Sequence, residues 1–191
     1  MPCQMSDSYN EWAGVEAILD LGEKPWTYAV AFQEAASILA DHVRDGVDLD
    51  PLVYPVVFNY RQSIELMLKR LFIVCAKAEA AFKNAKLNST PYPKDHYLDE
   101  LWKKLKPRLT TLLGTPEGFG RVDACISYLH KLDPTSQASR YWESSHKSDL
   151  YQLERIDLGD FMSKCQECAE ALMEAEALLD EYVEKAARKP I

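Results

Sequence analysis

The chain has 191 residues, of which 47% are hydrophobic, and its 30 acidic and 22 basic residues give a formal net charge of -8. This length and composition predict a single globular domain over residues 1–191, with residues 1–23 as a loosely ordered N-terminal segment. The acidic balance argues against a general nucleic-acid binder, which needs a basic face, but it is compatible with a small local basic site.

The N-terminus and the cysteines indicate a cytoplasmic protein. The first residues, MPCQMSDSYNEW, lack the basic and apolar regions of a signal peptide, and no apolar run approaches the ~18 residues of a membrane helix. The five cysteines are odd in number and widely spread, which is typical of reduced thiols. We therefore expect a cytoplasmic location and no membrane partner.

Hydrophobic spacing predicts helices throughout the chain and no pair of strands. The first helix is expected to begin near Pro25 and to stop at Gly46. The second is expected to begin at Pro55, because a proline inside a helix loses a backbone hydrogen bond, and to run to about Lys86. Its apolar residues cover so much of its circumference that it is expected to be central and buried.

Two shorter helices are expected next. Asp95 is a candidate N-cap of the third helix, which makes His96 a surface histidine in its first turn. Pro107 is expected to kink or end this helix. The fourth helix is expected to be capped by Thr115 and to end at Asp133, because the residue before a proline avoids helical geometry.

A long fifth helix is predicted from an N-cap at Asp157 to about Ala187. Its apolar residues alternate three and four apart, as in a helix packed along another helix. About 30 residues span about 45 Å, which is long for a domain of this size, so we expect its far end to contact a partner protein.

The fifth helix also contains a CxxC motif, Cys165 and Cys168. This motif can indicate a redox or zinc site. Both cysteines fall on the apolar seam, however, and no second CxxC or histidine pair accompanies them. We therefore interpret them as small hydrophobic residues, and we expect no metal site.

Arg61, Glu65 and Lys69 are spaced four apart on the second helix, so they stack along one edge of it. The edge adjoins apolar positions, where a charge is costly unless it is paired. The favoured interpretation is an internal Arg61–Glu65 ion pair that fixes a neighbouring loop. The alternative is that the Arg61 guanidinium helps to hold a phosphate or the carboxylate of a partner.

The stretch RYWESSH, residues 140–146, has five residues between an arginine and a histidine. Cleavage of a phosphodiester by its 2′-hydroxyl needs proton transfer and positive charge near the phosphate. His146 suits proton transfer, and the Arg140 fork suits the phosphate. One chain supplies one such histidine, so a symmetric dimer would complete the site. Alternatively, the stretch is a loop in which Arg140 pairs with the second helix, and Tyr141 and Trp142 fill the core.

Three stretches together carry a resemblance to a known family, in the order NYRQSIELMLKRLF, DHYLDELWKKL and LHKLDPTSQASRYWESSH. They are similar to the patterns YRHxxELxLK, HxLxxLW and hxxDPxSxxFRYP of the HEPN superfamily, in its bacterial branch found near toxin–antitoxin and phage-defence genes. The resemblance covers residues 59–146. The chain departs from the family at Gln62, where the pattern has a histidine, and at Tyr141, where nucleolytic members have a small polar residue.

The resemblance implies an all-α bundle of four to five helices, often a homodimer, in which the long predicted helix is C-terminal. Many HEPN proteins are metal-independent endoribonucleases whose arginine and histidine meet across the dimer. It therefore implies that Arg140 and His146 act on RNA, with no cofactor. The residues expected to support them are Arg61, Glu65, Lys69 and Tyr141.

The function expected from the sequence is thus a HEPN-type endoribonuclease, acting as a toxin or phage-defence effector. The alternative is a non-catalytic helical module that binds a partner protein, either antitoxin-like or as a subunit of a defence complex. The acidic outer face of the fifth helix fits the alternative at least as well. A basic groove around Arg140 would favour the enzyme, and an acidic groove would favour the module.

Overall fold

The computed structural model describes residues 25–46, 50–83, 93–114, 116–135, 137, 139–140 and 155–187. Over these residues the chain forms an all-α bundle without strands, which confirms the predicted fold class. The five α-helices are α1 (Pro25–Asp45), α2 (Val53–Phe82), α3 (Leu98–Leu113), α4 (Gly118–Leu132) and α5 (Leu158–Ala187), and a 3₁₀ helix (Asp50–Leu52) precedes α2. No helix of the described part is long and apolar enough to cross a membrane.

Helix α2 is the central element, as its apolar circumference predicts. It packs against α1, α3 and α5, and α5 in turn packs against α4. Burial extends to nearly every side of α2, and its wholly buried apolar side chains include Val57, Met67, Leu68 and Leu71. The charged edge of α2 described above therefore lies inside the bundle.

The start predicted for the second helix is wrong, and so is one of the two outcomes expected at Pro107. Helix α2 begins at Val53, two residues before Pro55. The first four N–H groups of a helix have no partner within it, so Pro55 loses no bond in the first turn. Pro107 lies within α3, which continues to Leu113. This proline therefore does not end the helix.

The predicted helix caps give mixed outcomes. Asp95 is not the N-cap of α3, which is Tyr97; the Asp95 carboxylate instead accepts a hydrogen bond from Lys104 at 2.6 Å. Helix α4 begins at Gly118, and Thr115 lies outside the described residues. The end of α4 before Asp133 is confirmed.

The boundaries and buried seam of α5 are confirmed. The Asp157 carboxylate accepts a hydrogen bond from the Asp160 amide at 2.9 Å, which is the expected N-cap contact. The seam residues buried in the core are Phe161, Cys165, Cys168, Leu172, Ala175 and Leu179. The Phe161 ring meets the Tyr60 ring edge-on at 5.6 Å, which joins α5 to the central helix.

Cys165 and Cys168 are fully buried, with Cys125 of α4 beside them. Burial raises the pKa of the Cys165 thiol well above its usual range. No group of metal-ligating side chains occurs within the described ranges. Both side chains are part of the buried core, in agreement with the interpretation of the CxxC cysteines as small hydrophobic residues.

Candidate functional site

Arg61 lies at the centre of the site with none of its surface exposed. Its Nε donates a hydrogen bond to the Asp133 carbonyl at 3.0 Å. Its Nη2 donates to the carbonyls of His96 at 2.7 Å and Pro134 at 3.1 Å. Its Nη1 contacts the Glu65 carboxylate at 3.2 Å. One guanidinium therefore joins α2 to the segments that precede α3 and follow α4.

The Glu65 carboxylate is buried and compensates two buried cations. Lys69 Nζ lies 2.9 Å from Glu65 Oε1, and Arg61 Nη1 contacts Oε2. Burial lowers the pKa of Arg61 from its usual value, and the charges of Glu65 and Asp133 oppose this shift. A guanidinium stays protonated in either case, so the pairing is ionic. Such a group is costly to bury unless its partners are complete, as they are here.

The segment after α4 is fixed by the side chain of Asp133. Its carboxylate accepts hydrogen bonds from the backbone amide of Gln137 at 2.9 Å and from the amide and hydroxyl of Ser139 at 3.0 and 2.5 Å. The Arg140 amide then donates to the Gln137 carbonyl at 3.1 Å. The backbone that presents Arg140 is thus folded onto one buried carboxylate.

A cleft of about 370 Å³ opens between this segment, α2 and the residues before α3. Each residue of its lining has a polar group in its side chain; these residues are Gln62, Glu65, His96, Tyr97, Thr135, Gln137 and Arg140. Arg140 is exposed, and its guanidinium lies 5.6 Å from the centre of the Phe58 ring. This is the distance of a cation–π contact, which orients the fork against α2.

His96 contributes an imidazole to the same cleft. Its Nδ1 lies 2.8 Å from Glu65 Oε1, while 70% of the His96 side chain remains exposed. An ionised carboxylate only accepts hydrogen bonds, so Nδ1–H is the donor. The ring is therefore oriented by a carboxylate that Arg61 and Lys69 hold in place.

The predicted site residues divide into three groups. Arg140 lies in the cleft, while Arg61, Glu65 and Lys69 form the buried cluster beneath it. The interpretation of Arg61 and Glu65 as an internal pair that fixes a loop agrees with these contacts. The alternative, in which Arg61 holds a phosphate or the carboxylate of a partner, gains no support from these contacts, because protein carbonyls and Glu65 enclose its guanidinium. The remaining predicted residues, Tyr141 and His146, lie outside the described residues, as does Trp142.

Sequence reasoning missed the role of His96 in this cleft. The prediction placed it in the first turn of α3, but it precedes the helix by two residues. Its contact with Glu65 spans 31 positions of the sequence. Local spacing carries no signal for such a pair, since the contact depends on how α3 docks against α2.

Comparisons of this chain with family models, with curated proteins and with solved structures return no match. The resemblance to the HEPN superfamily therefore rests on the three sequence stretches.

Proposed function

We propose that the protein is a metal-independent endoribonuclease of the HEPN type and that the cleft beside Arg140 is its active site. The observation that carries this proposal is the position of Arg140, which lines the cleft on a segment anchored by Asp133. A planar fork held in this way suits the non-bridging oxygens of a phosphodiester.

The chemistry requires little from the protein beyond charge and proton transfer. The 2′-oxygen of RNA attacks the adjacent phosphorus, the bond to the 5′-oxygen breaks, and a 2′,3′-cyclic phosphate and a 5′-hydroxyl form. Because the nucleophile belongs to the substrate, the protein has to stabilise the extra negative charge on the phosphate and move protons. Arg140 supplies the charge, and Gln62 and Gln137 of the same cleft supply polar contacts.

The local charge of the cleft favours an anionic ligand. Glu65 is the acidic residue among its described lining residues, and its charge is matched by Arg61 and Lys69. Arg140 adds a further positive charge beside the Glu65 cluster. The hydroxyl of Thr135 is enclosed and has no hydrogen-bond partner within the part of the chain that the structure describes. A phosphate oxygen or a water molecule at the cleft would satisfy it.

Two parts of the proposal come from the sequence resemblance. His146 is the predicted acid/base group, and a homodimer is the arrangement in which two copies of Arg140 and His146 share one groove. A role as a toxin or phage-defence effector, and a cytoplasmic location, belong to the same proposal.

The test is cleavage of single-stranded RNA by the purified protein with EDTA present. Wild type is expected to cut RNA and to leave DNA of the same sequence intact, because DNA lacks the 2′-hydroxyl. Arg140→Ala is expected to lose ~10²-fold or more in rate, since one preorganised charge contact is removed. Arg121→Ala removes an arginine of α4 outside the cleft lining and is expected to retain activity. Equal rates for both variants would overturn the proposal.

The second candidate function is a protein-interaction module, and the surface of α5 favours it. Its exposed acidic residues are Glu167, Glu170, Glu174, Asp180, Glu181 and Glu184. Such a face suits a basic partner. If wild type leaves RNA intact in the cleavage assay, this function replaces the first. The next experiment is then to identify a protein that binds the acidic face of α5.

A further inference from the structure

We propose that His96 is a catalytic proton-transfer residue of the cleft and that Glu65 is its positioning residue; this inference rests on the proposed ribonuclease function. His96 and Arg140 line the same cleft of one chain. The two groups that 2′-hydroxyl attack requires, a proton acceptor and a phosphate-binding cation, are thus present together in one chain. Under this inference His96 takes the proton of the 2′-hydroxyl, a part that the sequence resemblance gives to His146, and this step needs no second copy.

The geometry around His96 fixes both its ring and its backbone. The ring is held through Nδ1 by Glu65 at 2.8 Å. The backbone is held by Arg61, whose Nη2 donates to the His96 carbonyl at 2.7 Å. With Nδ1–H as the donor, the neutral ring carries its lone pair on Nε2. A proton acceptor with a defined tautomer is what a general base requires.

A purely structural role explains the contact between His96 and Glu65 less well. Glu65 is already compensated by Arg61 and Lys69, so its burial does not depend on a histidine. The His96 side chain is 70% exposed, so it fills little of the core. A buried carboxylate that holds an otherwise exposed imidazole at the wall of a cleft is the arrangement that orients catalytic histidines.

The proposed step is a transesterification at one phosphate of the RNA. The 2′-hydroxyl proton passes to Nε2 of His96, and the 2′-oxygen–phosphorus bond forms while the phosphorus–5′-oxygen bond breaks. The 5′-oxygen leaves with a proton from water. Arg140 stabilises the charge on the phosphate during the exchange. The imidazolium then returns its proton to solvent.

The experiment compares His96→Ala and His96→Asn with wild type in the RNA cleavage assay. The amide nitrogen of asparagine takes a position close to Nδ1 and can keep the hydrogen bond to Glu65, but it cannot accept a proton. Both variants keep the backbone carbonyl that Arg61 uses, so both are expected to fold. The matched control is His130→Ala, since His130 of α4 lies 3.3 Å from Asp99 and does not line the cleft.

Both His96 variants are expected to lose ~10²–10⁴-fold in rate, the usual contribution of a general base. Added imidazole is expected to restore part of the activity of His96→Ala, and the limb of the pH–rate profile that reports the base is expected to disappear. If wild type cuts RNA and His96→Asn stays near the wild-type rate, this inference is wrong while the ribonuclease function stands. Loss of rate without rescue by imidazole and with an unchanged pH profile also refutes it. A wild type that cuts no RNA refutes both proposals.

Discussion

Arg61 and Asp133 are 72 positions apart in the sequence, and a 3.0 Å hydrogen bond joins the guanidinium of the first to the backbone carbonyl of the second. The same aspartate uses its side chain to fold the segment that carries Arg140. Asp133 thus links the central helix to the wall of the cleft. Its carbonyl accepts the bond from Arg61, and its carboxylate holds the backbone beside Arg140. The charged edge of α2 and the backbone that carries Arg140 are therefore parts of a single structural unit.

Replacing Arg61 with methionine is expected to lower the free energy of unfolding by about 3–5 kcal/mol, because Glu65 then loses a partner and three carbonyls lose a donor. The matched control is Arg121→Met on α4. Arg121 lies 3.7 Å from Glu174, and 39% and 66% of the two side chains are exposed, so a loss of about 1 kcal/mol or less is expected. Urea unfolding followed by circular dichroism measures both values. Equal losses would show that the buried cluster contributes no more than a surface pair.

Much of the fold could be predicted because its signals are local or periodic. The start of α5 follows from an aspartate placed to cap a helix, and its buried seam follows from apolar residues three and four apart. The central position of α2 follows from its apolar circumference. The errors at Pro55 and Asp95 have a different origin. Whether a helix tolerates a proline depends on the distance of that proline from the first turn. A carboxylate that could cap a helix can bind another partner instead, as Asp95 binds Lys104.

The candidate site was less predictable. The four-residue spacing of Arg61 and Glu65 indicates their ion pair, since it is a local helix geometry. The carbonyls of His96, Asp133 and Pro134 that complete the site carry no sequence signal, because every residue has a carbonyl. The cleft exists because two loops dock onto one guanidinium, and this depends on tertiary packing.

Cys75 is expected to be nearly inert toward iodoacetamide in the native protein. Burial raises the pKa of its thiol to about 12, so little thiolate is present at mildly alkaline pH. Labelling, read by peptide mass spectrometry, is expected to be ~100-fold slower or more than in urea. Lys77→Cys, at an exposed position of the same helix, is the accessible control and is expected to react quickly. Native labelling of Cys75 at the control rate would contradict the buried packing of α2.

Gly118→Ala is expected to destabilise the contact between α4 and α5. A Cβ at this position would lie 2.9 Å from the Cβ of Ala171, so a backbone has to shift, at a cost of about 1–3 kcal/mol. Gly120 lies two residues further along α4, and a Cβ there meets nothing within 4 Å. Gly120→Ala is therefore expected to stabilise the protein by about 0.5–1 kcal/mol, the helix preference of alanine over glycine. Thermal unfolding of the two variants should move in opposite directions, and a shared direction would refute the close approach.

Under the proposed ribonuclease function, Asp133→Asn is expected to slow RNA cleavage strongly while the protein stays folded. The asparagine amide would place a donor against the donating amides of Gln137 or Ser139, so at least one of these bonds is lost, at about 1–3 kcal/mol. The backbone carbonyl that accepts from Arg61 remains, so the helical core is expected to keep its packing.

The segment that presents Arg140 loses its anchor in this variant. Because transition-state contacts depend on position to about an ångström, a ~10²-fold loss of cleavage rate is expected. Ser139→Ala is the graded control, since it removes the hydroxyl bond at 2.5 Å and leaves both amide bonds in place. It is expected to fall between wild type and Asp133→Asn in rate. If Asp133→Asn cuts RNA at the wild-type rate while hydrogen exchange reports a loosened amide at Ser139, the placement of Arg140 by this segment does not matter for cleavage, and the active site has to be sought elsewhere on the bundle.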